Sequence, residues 1–78
     1  MGEVGIRVRR ASEDKYEVSV YLSGYFLFLR EVDIVQGVPD MEVEDEVLGT
    51  ASIVYFFTTS EGKTAVQIFW SVKELVGE

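Results

Sequence analysis

Cysteine, histidine and asparagine are absent from the 78 residues, proline occurs once, at Pro39, and Gln36 and Gln67 are the only side-chain amides. Without cysteine there can be no disulfide, thiolate zinc site, iron–sulfur cluster or thiol nucleophile, so the fold must hold without covalent staples. The lack of histidine removes the usual general base, and with it serine or cysteine nucleophiles of the histidine-activated kind. A chain without thiols suits a reducing compartment. Depletion of the thermolabile residues beside a valine-rich core resembles the composition of thermophile proteins.

Long hydrophobic runs are missing too. The longest uninterrupted apolar stretches, residues 25–29 and 53–57, fall far short of the ~20 residues a membrane-spanning helix requires. The opening "MGEVGI" has Ile6 where an N-myristoylation signal carries Ser or Thr, and no signal-peptide core follows it. The expected location is the cytoplasm. Phosphate-binding loops are likewise not expected: "SEGKT" contains Gly62-Lys63-Thr64, but Phe57 stands where a P-loop has its first glycine. That stretch reads as an ordinary hairpin turn. Paired carboxylates could still do acid–base work, but so short a chain leaves little volume for a cleft that raises one pKa and holds a substrate. The expectation is a protein that is not an enzyme.

What is present is a core. Hydrophobic residues make up 47% of the chain and aromatics 13%, enough to exclude intrinsic disorder. A single domain over residues 1–78 is expected, burying about 60–65% of the surface its unfolded chain exposes. Alternation of period two is the clearest local pattern. In "VGIRVRR", Val4, Ile6 and Val8 share one face and Arg7 and Arg9 the other. In "YEVSVYL", Tyr16, Val18, Val20 and Leu22 face inward. The polar turn 12–15 separates these strands, and Ser23-Gly24 predicts a two-residue hairpin loop.

"YFLFL" (25–29) and "SIVYFF" (52–57) are apolar on both faces, which predicts strands covered on both sides. A helix over 23–37 competes with the first of these. "TAVQIFW" (64–70) alternates, with Val66, Ile68 and Trp70 together, and should pair with 52–57 as a hairpin around Gly62. The end, "SVKELVGE", either forms a short helix with Phe69, Val72 and Val76 in one stripe, capped by Gly77, or extends the strand. The fold class expected from these elements is α+β: a mainly antiparallel sheet of about five strands with one or two short helices. A small β-barrel is the alternative.

Charge is the least even property. The chain has 14 acids and 7 bases, for a net charge of −7. Glu31, Asp33, Asp40, Glu42, Glu44, Asp45 and Glu46 lie between 31 and 46 without an intervening base, whereas Arg7, Arg9, Arg10 and Lys15 open the chain. A face of that sign should repel nucleic acid.

The geometry of "MEVEDEV" (41–47) depends on its backbone. As a strand it points Met41, Val43 and Val47 one way and Glu42, Glu44 and Glu46 the other. Alternate glutamates would then lie ~6.6 Å apart and repel by roughly 0.6 kcal/mol per pair in water. As a helix, favoured by Pro39-Asp40 before it and Gly49 after, Asp40 is the N-cap and Glu42 and Glu46 are i, i+4 neighbours.

Either form lets carboxylates converge on a hard cation. Asp40, Glu42, Glu44, Asp45 and Glu46 are therefore the candidate metal ligands, with calcium as the ion and weak affinity expected. The stretch is no EF-hand, because Asp45 stands where the invariant glycine belongs. The alternative function is an acidic protein–protein interaction module, or a nucleic-acid mimic, docking on a basic partner surface and drawing on Glu31 and Asp33 as well. A monomer or weak homodimer is expected; an exposed edge strand bearing Tyr25, Phe56 or Phe69 would mediate pairing, although core packing is the first expectation for these rings.

Overall fold

The computed structural model describes residues 3–39 and 41–76. All regular structure among them is extended chain: β1 (Val4–Arg10), β2 (Lys15–Leu22), β3 (Tyr25–Asp33), β4 (Glu46–Thr58) and β5 (Thr64–Val76). The strands form one antiparallel sheet in the order β3-β2-β1-β4-β5. Three hairpin-linked strands followed by a fourth that returns beside the first make a Greek key, and β5 then adds to β4.

The α+β expectation is thereby corrected: no helix occurs among the described residues. The small-barrel alternative comes close, since the fold is all-β, but the sheet stays open. Edge strands β3 and β5 approach each other, and the Thr64 N–H donates to Asp33 Oδ2 at 2.8 Å, yet they share no ladder.

Neither expected helix forms, and for the same reason, a partner supplied from far along the sequence. Residues 71–76 continue β5 because β4 lies beside them, with Thr50 opposite Val72 and Glu46 opposite Val76. Residues 41–45 cross the end of the sheet without regular structure and bury Met41 and Val43 while exposing Glu42 and Glu44. That alternation requires an extended backbone. The expected roles of Asp40 as N-cap and Gly77 as C-cap lie outside the described residues.

Alternation places the core on one face of the sheet. Ile6, Val8, Tyr16, Val18, Val20, Val32, Val47, Ala51, Val66 and Ile68 pack there, with Met41 and Val43 from the crossing segment closing one end. The radius of gyration, 11.8 Å, is that of a compact chain of this length.

The hairpin expected between the last two strands forms, with Val54 opposite Ile68 and Phe56 opposite Val66. The loop at Ser23-Gly24 forms as well, with positive φ at both residues (52° and 83°), as a type I′ turn requires.

Gly49 does not end an element, as the sequence suggests; it lies inside the 13-residue β4. A Cβ at Gly49 would run into the Val72 carbonyl oxygen and lie 2.7 Å from Lys73 Cα. The absent side chain is what lets β5 cross so closely. Just beyond it the β4–β5 register slips twice, between Thr50 and Ile53. The slips change which residues point inward, from Val47 and Ala51 to Val54 and Phe56.

Candidate functional surface

The acidic segment is held by one phenol. Tyr16, buried on β2, donates its O–H to the Met41 carbonyl and accepts the Val43 N–H at 3.4 Å. Two residues of the segment thus face inward around a single side chain, and Glu42 and Glu44 between and after them point to solvent. Arg10 reaches the same place, donating to the Val43 carbonyl at 3.4 Å with its guanidinium 5.8 Å from the Tyr16 ring.

The four candidate metal ligands among the described residues are not gathered together. Glu42, Glu44 and Asp45 are exposed along the segment. Glu46 has entered β4 and accepts the Arg7 guanidinium, and Asp40 lies outside the described residues. Among the described residues no three acidic groups come together in a way that could hold a metal ion.

The opening cluster of bases is not set apart from the acids. Register puts Arg9 between Glu17 on β2 and Glu46 on β4, and Arg9 donates twice to Glu17, at 2.8 and 3.1 Å. Glu46 raises the pKa of Arg7 through its hydrogen bond and charge. The face of the sheet opposite the core is thus a lattice of opposite charges across β2, β1 and β4.

Of the two proposed docking acids, Glu31 is exposed opposite Glu17. Asp33 is engaged: Lys15 Nζ donates to it at 2.7 Å and the Thr64 N–H at 2.8 Å. These two hydrogen bonds, Lys15 first, hold its carboxyl below the usual aspartate range, and the same pairing raises Lys15.

The surface that the charge pattern did not point to is apolar. "YFLFL" is no central strand; β3 is an edge strand, and Tyr25, Phe26, Leu27, Phe28 and Leu29 are all exposed. On the β4–β5 hairpin, Ile53, Tyr55, Phe57 and Phe69 stand outward, each between 38 and 55% exposed. Their rings meet edge to face, Tyr55 with Phe57 at 6.0 Å and with Phe69 at 6.4 Å between centroids. "SIVYFF" is therefore apolar on both faces with only one face covered, Val54 and Phe56 packing inward against the core. The available signal was the hairpin itself: a two-stranded extension beyond β1 has no neighbour to cover its outer face.

Where this hairpin turns over the sheet, Val4, Val20, Phe28, Ser52, Ile53, Val54 and Phe56 line an open cleft of about 390 Å³.

No helix among the described residues is long and apolar enough to cross a membrane. No known protein family, curated protein or solved structure matches the chain.

Proposed function

We propose that the protein is a non-catalytic binding module that docks another protein through the outward face of the β4–β5 hairpin. The observation that carries this reading is the exposed group of Ile53, Tyr55, Phe57 and Phe69, in which the Tyr55 ring meets those of Phe57 and Phe69 and Ile53 lies opposite Phe69 in the ladder. Contiguous apolar patches of this kind are uncommon on monomeric surfaces that have no partner, and aromatic side chains are the residues enriched at interface centres. The net charge of −7 and the exposed Glu42, Glu44 and Asp45 favour a partner whose apolar patch is surrounded by basic groups, with charge acting mainly on the association rate. Calcium binding gains no comparable support, because among the described residues no three acidic groups come together.

The test is affinity capture from the native host, run in parallel with the wild type and with a Tyr55→Ser/Phe69→Ser double variant of unchanged circular dichroism. The expected result is a partner retained by the wild type and lost by the variant. Equal capture by both proteins would overturn the reading. Sedimentation velocity on the same pair decides whether the partner is a second copy of the chain.

A further inference from the structure

We infer that the cleft between the β4–β5 hairpin and β3 is a binding site for a small amphipathic carboxylate, with Arg30 as the group that receives its charge. The walls are apolar: Val4, Val20, Phe28, Ile53, Val54 and Phe56, with Ser52 as the one polar lining residue. A volume of about 390 Å³ falls within the range of small-ligand sites, which carry few polar groups among many apolar ones.

Arg30 does not line the cleft itself but stands over two of the rings that do, and it is the group that would set the chemical selectivity. Its guanidinium carbon lies 5.5 Å from the Phe28 ring centre and 4.7 Å from that of Phe56, the two rings that wall the cleft and stand 6.1 Å apart. Arg7, Arg9 and Lys15 are all neutralised by carboxylates, whereas Arg30 forms no ion pair among the described residues. A guanidinium resting on aromatic faces keeps the N–H donors along its edge free, in the planar fork that matches a carboxylate. An apolar body in the cleft and a carboxylate on Arg30 satisfy both halves of the site. A neutral ligand would leave the guanidinium unused, and a cation would meet it directly.

The test uses decanoate below its micelle concentration, followed by ¹H–¹⁵N spectra of the whole chain, with decanol as the neutral probe. Saturable shifts at Val4, Val20, Phe28, Val54 and Phe56 are expected with decanoate. Arg30→Gln, which keeps both rings, should weaken decanoate about tenfold or more and leave decanol unchanged. A Val4→Phe variant that fills the cleft should abolish binding of both, provided its spectrum stays dispersed. Absence of saturable shifts, equal decanoate affinity in Arg30→Gln, or shifts centred on Tyr55 and Phe69 would each overturn the assignment. The Tyr55→Ser/Phe69→Ser variant should bind decanoate as the wild type does, so failure here and failure of the docking reading are separate results.

Discussion

Gly49 and Asp33 show how single residues hold this small fold together. At Gly49 a side chain would collide with backbone, not with a flexible neighbour, so the clash cannot be relieved by a rotamer change. Gly49→Ala should destabilise the protein by about 3 kcal/mol in a denaturant titration. Gly5→Ala, where the new Cβ meets Tyr21 Cβ at 3.3 Å, should cost clearly less. Asp33 on edge strand β3 joins the other edge through the Thr64 N–H of β5 and is held from the neighbouring β2 by Lys15. Its pKa is lower in the folded chain, so the unfolded state takes up protons first as the solution is acidified. The stability it provides is present above its unfolded pKa of about 3.9 and is lost as pH falls through the folded value. Asp33→Asn should therefore flatten the fall in Tm on acidification through that window. Lys15 acts in the opposite sense, its contribution being lost as pH rises through its raised folded pKa.

Among the elements, the acidic segment and the edge strand most repay attention. The segment 41–45 has no regular structure, and Glu42 and Glu44 point to solvent because Met41 and Val43 turn inward around the Tyr16 hydroxyl. Tyr16→Phe removes those hydrogen bonds and should cost about 1–1.5 kcal/mol. Amide exchange at Val43 should rise by more than at Ile6 or Val18. A CaCl₂ titration should produce only the small, diffuse amide shifts that NaCl of equal ionic strength also gives; saturable shifts confined to 40–46 would contradict this geometry. Strand β3 exposes a long apolar edge, the kind of edge that invites pairing with another chain. Its register slip against β2, between Val20 and Tyr21, is the type of irregularity that twists an edge away from such pairing.

At the scale of the whole molecule, the chain carries more apolar surface than its core uses. The outward hairpin residues should contribute little to folding, so the Tyr55→Ser/Phe69→Ser variant is expected within about 1 kcal/mol of wild-type stability, measured in urea, with higher solubility. A large loss would mean that the patch is structural. The charge balance has a similar division. Acids and arginines neutralise each other across the outer face of the sheet, and exposed acids without such a partner among the described residues include Glu42, Glu44 and Asp45 of the crossing segment and Glu31 on β3.

Much of this was legible in the residues themselves. Alternation identified the inward sides of 4–8, 16–20 and 66–70, although Leu22, expected inward with Tyr16, Val18 and Val20, is exposed at the end of β2; Ser23-Gly24 and Gly62 marked turns, and the missing histidine and cysteine removed whole classes of chemistry before any fold was known. Those properties are local, set by side-chain period and by φ preference. The tertiary structure decided what depends on neighbours. Whether "YFLFL" is central or at an edge depends on what lies beside it, and nothing in those five residues specifies that. The strand that runs through Gly49 is explained only by the backbone of β5 crossing there, 23 to 24 residues further along the chain. The outward turn of Glu42 and Glu44 follows from Tyr16, 25 residues before Met41. Contacts between distant segments are set by how the strands pair, and pairing is a property of the assembled sheet.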